Sequence, residues 1–253
     1  MLGSLTSGVK PLKVSKYFYR TPTYAPFHMK KYLPFLIIII LILVGILVYQ
    51  NFIEKEGENL SEEKISKEEK IPMPKRSLEN KKIAMIVAFR DFRDVEYFIP
   101  RDVFVQAGAR VITFSKEKGR AIGADGGEVE IDSTLEELNP AHYDAVVFVG
   151  GSGMAKNIDS ELHHQIARAT VEANKVLGAI CIAPAILAKA GVLDGKKATV
   201  WSSPMDKSAV RILQEEGAVY EDKAVVVDGK IVTGNGPMAA KEFAETVVNL
   251  LTP

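Results

Sequence analysis

The sequence holds one cysteine, Cys181, and one tryptophan, Trp201, in 253 residues. A single cysteine excludes an intrachain disulfide and any multi-cysteine metal site. Histidine is scarce as well, and His28, His142, His163 and His164 show no zinc-ligand spacing. The adjacent His163 and His164 are expected on different faces of a helix and read as surface residues. There is no excess of either charge, with 32 basic and 32 acidic residues. That balance gives no global attraction for nucleic acid. No internal repeat is present, and no metal or cofactor motif stands out, so neither a metal nor a cofactor is expected.

The apolar residues are unevenly spread. Residues 33–49 read LPFLIIIILILVGILVY, a run of 17 without a charge. It is just long enough to cross a bilayer as a helix. A buried soluble helix would need a polar stripe, and a cleaved signal would need a small-x-small site after the run. Neither is found, so an uncleaved anchor over 33–50 is expected. The segment before it carries Lys10, Lys13, Lys16, Arg20, Lys30 and Lys31 and no acid, whereas Glu54, Glu56 and Glu58 follow it. The positive-inside rule then places residues 1–32 in the cytoplasm and the bulk of the chain outside. Met29-Lys30-Lys31, directly ahead of the run, also reads as a start, which makes residues 1–28 an upstream extension. Residues 51–80 are rich in Glu and Lys and poor in large apolar side chains, as in a solvated linker.

Residues 81–253 have the size and pattern of one α/β domain. Lys82–Phe89, Val111–Ser115, Ala145–Val149, Val176–Ile180 and Ala198–Trp201 read as strands. A hairpin-like turn at Asp125-Gly126-Gly127 joins short extended pieces within Ala121–Ile131. Helices are expected over Asp94–Ala107 (kinked or restarted at Pro100), Ser160–Asn174, Pro184–Ala190, Pro204–Glu216 and Ala239–Leu251. A hairpin joins Ala224–Val227 to Ile231–Thr233 across Asp228-Gly229. Alternating strands and helices, with almost wholly apolar strands, imply a mainly parallel sheet covered on both faces. Ligands bind such sheets beyond the carboxyl ends of the strands. Glu96, Gly150-Gly151, Cys181, Ser202-Ser203 and Asn235-Gly236-Pro237 all follow strands, so they are expected on one rim. Trp201 reads simply as a sheet residue.

At Gly178-Ala179-Ile180-Cys181-Ile182-Ala183-Pro184 a strand ends at the cysteine and a helix-starting proline follows. The arrangement resembles a nucleophile elbow, and a helix N-terminus favours the thiolate. A lone cysteine also serves commonly as buried filler. Glu96 falls in the first turn of its helix on the same rim, where a protonated carboxyl donating to sulfur would stabilise the thiolate. Gly150-Gly151 lets backbone amides approach a ligand and, with the Ile182 amide, offers an oxyanion hole.

These segments together resemble the ThiJ/PfpI, or DJ-one-like, family of the class I glutamine amidotransferase-like superfamily. The carriers are KIAMIVAF, Val95-Glu96-Tyr97 with Ile99-Pro100, Tyr143–Val147 running to Gly150-Gly151, Ala179-Ile180-Cys181 through Pro184, Ala190–Leu193, and Val232-Thr233 through Gly236-Pro237. The resemblance implies a flavodoxin-like three-layer sandwich and a homodimer or larger assembly. It implies that Cys181 is the nucleophile, Glu96 its carboxyl partner, and Gly151 and Ile182 the oxyanion-hole amides. Gly150, Ser203 and Asn235 would form the rest of the rim. Family members include peptidases, glyoxalases, deglycases, chaperones and oxidative-stress proteins.

The sequence departs from the family where a histidine is expected. Ile182 follows the cysteine directly, and Ser203 precedes Pro204 after the next strand. A Cys-His-acid triad is therefore not readable, and a peptidase is disfavoured. Two functions stay open. One is a cysteine-dependent hydrolase, lyase or deglycase acting on small carbonyl adducts or damaged proteins. The other is a non-enzymatic stress sensor or chaperone-like protein whose Cys181 is oxidised.

Overall fold

The computed structural model describes residues 45–50 and 78–252, within two units, Met1–Ile71 and Pro72–Pro253. In the first unit residues 45–50 are helical and exposed. Most of the apolar run, the basic segment and the linker up to residue 77 lie outside the described residues. Among the described residues no helix is long and apolar enough to cross a membrane.

The second unit is built on a seven-stranded sheet. Its strands are β1 (Lys82–Ile86), β3 (Arg110–Ser115), β6 (Ser133–Thr134), β7 (Ala145–Phe148), β8 (Val176–Ile180), β11 (Val225–Asp228) and β12 (Ile231–Gly234). The spatial order is β11-β12-β8-β7-β1-β3-β6, and only β11 runs antiparallel to its neighbour. β7 and β8 are buried along their whole lengths, as expected for strands covered on both faces. Side chains alternate between two cores. Ala84 and Ile86 enter one, with Ile166, Ala185 and Leu213; Ile83 and Met85 enter the other, with Tyr97, Phe104 and Phe243. The first face is covered by α3 (Glu161–Glu172), α4 (Pro184–Lys189) and α5 (Ser208–Glu215). The second is covered by α1 (Asp94–Gln106) and α6 (Ala240–Leu251). The short α2 (Ser152–Ala155) follows β7. The result is an α/β fold with a mainly parallel sheet between helical layers.

Two small sheets lie outside the main one. β2 (Arg90–Phe92), β4 (Gly119–Gly123) and β5 (Glu128–Ile131) form one, and β9 (Lys197–Ala198) pairs with β10 (Val219–Tyr220) in the other.

Several expectations are corrected. α1 runs unbroken through Pro100. A helical φ already suits proline, so the main loss is the amide that would have bonded the Glu96 carbonyl. The strand expected over 198–201 stops at Ala198 and lies outside the main sheet, because Thr199 and Trp201 spend their amides on Thr233 Oγ1 and the Cys181 carbonyl. Trp201 is thus not a strand residue. The helix expected from Pro204 begins at Ser208, after a turn in which Ser203 and Asp206 bond each other. His163 and His164 are buried rather than on the surface. His163 Nδ1 meets Ser160 Oγ at 2.8 Å and His164 Nε2 meets the Ile158 carbonyl at 2.7 Å, so local partners make the burial tolerable. Burial pushes the His163 pKa down to about 4, and the neighbouring His164 adds to the shift.

Candidate active site

β1 has β7 on one side and β3 on the other, so chain connections diverge to either side of it. In open α/β sheets the crevice beyond the strand ends at such a switch point holds the ligand. Three segments meet there: α1 after β1 and β2, Gly150-Gly151 after β7, and Cys181 after β8.

Cys181 occupies the left-handed region, with φ 63°. For a residue with a Cβ that conformation costs about 1–2 kcal/mol, and here it is clamped from both sides. The Cys181 amide donates to the Gly234 carbonyl at 2.9 Å, and its own carbonyl accepts the Trp201 amide at 2.8 Å. The chain must reverse sharply between the end of β8 and the start of α4 at Pro184, and the strained residue makes that turn. The amides of Gly151 and Ile182 both face the sulfur and pull its pKa down.

Glu96, in the first turn of α1, is fully buried. Neither carboxylate oxygen completes a hydrogen bond of good geometry. The Cys181 thiol and the Gly150 amide nonetheless face it closely enough to favour its charged form, as does the Arg93 guanidinium. Burial outweighs all three and pushes the Glu96 pKa from 4.5 up to about 7. The thiol is pushed the same way. Burial first, then the negative charge of Glu96 and the contact with it, raise Cys181 from 9.0 to about 12 against the two amides. The thiolate expected from the helix end alone is therefore corrected: α4 has only six residues, and burial beside a carboxylate outweighs it. A Glu96 that holds a proton removes the repulsion, so the two groups titrate as a pair with one negative charge to place.

The two glycines make this contact possible. A Cβ on Gly150 would stand 2.5 Å from both Cys181 Cβ and Glu96 Oε2. Gly151 has φ 112°, and a Cβ there would stand 2.5 Å from Arg93 N and Asp91 O. The Arg93 amide also donates to the Gly150 carbonyl at 3.1 Å, which ties the start of α1 to the glycine loop.

Cys181, Glu96, Gly150, Gly151 and Ile182 are thus brought together. Ser203 and Asn235 lie on the same rim but are half-buried and otherwise engaged. The Ser203 hydroxyl accepts the Asp206 amide, and the Asn235 amide donates to the Ala224 carbonyl. His142 precedes β7, at the opposite end of the sheet, and His163 and His164 are held by α3 and the loop before it. Among the described residues no cluster of three His, Cys, Asp or Glu could hold a metal. Arg93 was not read from the sequence as part of the site, although it sits three residues before Glu96, at the residue that caps the start of α1. Its guanidinium pairs with Asp125 at 3.2 Å.

A strained cysteine at a strand-to-helix turn, two amides on its sulfur and a buried carboxyl beside it define a thiol-centred site on an α/β sheet. The model of the DJ-1/PfpI family matches residues 81–250, and the chain belongs to that family. Protein MJ0967 of Methanocaldococcus jannaschii is 37% identical over 178 residues, 70% of this chain and 85% of that one. Deglycase PfpI of Pyrococcus furiosus is 32% identical over 167 residues, 66% of this chain and 98% of that one. The crystal structure of a ThiJ/PfpI domain protein from Brachyspira murdochii superposes with a TM-score of 0.64 at 34% identity, covering 68% of this chain and 97% of that one.

Proposed function

We propose that the chain is a cysteine-dependent hydrolase or deglycase acting on small carbonyl adducts such as glyoxals or glycated amines. The observation that carries this reading is the buried, partner-poor carboxyl of Glu96 against a thiol that two backbone amides already address. Similarity to a protein named as a deglycase supports it.

Glu96 takes the thiol proton, and Cys181 Sγ attacks the carbonyl carbon. The S–C bond forms as the carbonyl π pair moves to oxygen. The Gly151 and Ile182 amides stabilise that oxygen, and Glu96 returns its proton to the adduct, giving a neutral hemithioacetal. Glu96, with a pKa near 7, is matched to taking and giving a proton at neutral pH. Each histidine among the described residues is engaged elsewhere or at the far end of the sheet, so this chemistry uses a carboxyl in place of an imidazole and disfavours a peptidase. In the same proposal residues 33–49 tether the domain to a membrane, with the domain on the extracytoplasmic side, and two copies associate.

The test is loss of methylglyoxal with the full chain. Wild type should consume it, while Cys181→Ala and Glu96→Gln fall to background; equal rates in all three would remove the enzyme reading. The unpartnered Glu96 carboxyl also favours a second reading, in which Cys181 is a sensor oxidised to a sulfenic or sulfinic acid and Glu96 donates to the new oxygen. Mild peroxide followed by intact-mass measurement checks it, and an unmodified Cys181 counts against it.

A further inference from the structure

Along β3, from the strand starts at Lys82 and Arg110 to Phe114, Ser133 and Glu137 near its carboxyl end, runs a cavity of about 400 Å³. Lys82 and Arg110, the first residues of β1 and β3, stand side by side in register and both line it. Like charges directly across neighbouring strands repel. Neither forms an ion pair among the described residues, whereas their neighbour Lys81 pairs with Asp144 at 3.1 Å. The wall beside them is apolar. Phe114 and Tyr143 meet edge to face, with ring centroids 5.7 Å apart, and Ile112 is left half-buried. The same lining holds two acids, of which Glu137 has its own cation. Asp132 Oδ2 accepts the Thr113 amide at 2.7 Å, and Glu137 is held by Ser133 and by Lys118 at 3.1 Å.

We infer that this cavity is a binding site, separate from the thiol centre, for a small organic anion with a flat apolar body: an aryl or short alkyl carboxylate or phosphate. Lys82 and Arg110 would receive the anionic group, which relieves their mutual repulsion. The half-buried Tyr143 and Ile112, backed by the buried Phe114, would take the body of the ligand by covering it from water. Arg110, with its planar fork of donors, would grip two oxygens at once. Its lining holds no cysteine and none of Glu96, Gly150, Gly151 or Ile182.

The experiment is ligand-observed NMR titration of the full chain in a non-ionic detergent, with phenyl phosphate and phenylacetate as probes and benzyl alcohol as the uncharged control. Both anions should bind and benzyl alcohol should bind far more weakly; the stronger anion tells carboxylate from phosphate. Lys82→Gln with Arg110→Gln should weaken binding about tenfold or more. Arg110→Lys should weaken it less than Arg110→Gln, since the charge stays while the fork is lost, and Cys181→Ser should leave it unchanged. Both cations are exposed, so the charge variants leave the core intact. Absence of anion binding to wild type, equal binding in the double variant, equal binding of benzyl alcohol, or loss in Cys181→Ser would each overturn the assignment.

Discussion

The carboxyl of Glu96 lies against the thiol of Cys181 in a fully buried setting, and no donor completes a well-formed hydrogen bond to either of its oxygens. The sulfur faces two amides, from Gly151 and Ile182, and the carboxyl faces one, from Gly150. A negative charge on the pair settles first on the carboxylate, which ionises near 7 while the thiol is held up to about 12, and the two amides are left to serve an oxygen that forms beside the sulfur. This asymmetry has measurable consequences.

The first is in stability. Glu96 ionises near its ordinary 4.5 in the unfolded chain and near 7 in the folded one. Between those values the unfolded state has released a proton that the folded state still holds, so stability falls as pH rises from about 4.5 to 7 and levels off above. Glu96→Gln should lose this dependence. Thermal melts at pH 5 and pH 8 should show the wild type losing more than the variant, by a few kcal/mol when converted.

The same charge acts on sulfur. Above pH 7 an ionised Glu96 raises the Cys181 pKa. Removing it in Glu96→Gln should speed alkylation by iodoacetamide at pH 9 about tenfold, one pKa unit's worth, even as carbonyl turnover is lost. A variant slower in both assays would show that the carboxyl only holds the pocket open.

Gly150→Ala places a methyl group where Cys181 and Glu96 now touch. The pair must separate or the glycine loop must move. Overpacking of this kind costs about 1–3 kcal/mol. Urea denaturation should show that loss, and turnover should fall close to that of Glu96→Gln.

Asp94, two residues before Glu96, is buried and accepts the amides of Asp125 at 2.8 Å and Gly127 at 2.6 Å. It pins the turn between β4 and β5 to the start of α1. Asp94→Ala leaves both amides without that acceptor and should destabilise by about 2–3 kcal/mol. Hydrogen exchange should speed up first in the β4–β5 turn.

The elements that were legible in the sequence are those whose physics is local. β1, β7 and β8 are short apolar runs, and β8 ends at the cysteine because Pro184 opens the next helix. Glu96 and Gly150-Gly151 could be placed on the rim from strand direction alone. What escaped depends on partners distant in sequence. β2 is only three residues, Arg90 to Phe92, held by pairing with β4 and by Phe92 packing on Tyr97. The segment after Ala198 looks like a strand but bonds Thr233 and Cys181 instead. The burial of His163 depends on Phe148, and the place of Arg93 in the site depends on Gly150 and Asp125. Neither relation leaves a periodic trace in the sequence.

The central claim is that Glu96 carries the proton for attack by Cys181. The pH profile of kcat/KM for methylglyoxal with the full chain tests it most directly. Wild type should gain activity as pH rises through about 7, where the pair acquires its negative charge, and Glu96→Gln should be slow with no limb in that range. The same limb near 7 in Glu96→Gln, at undiminished rate, would contradict the account.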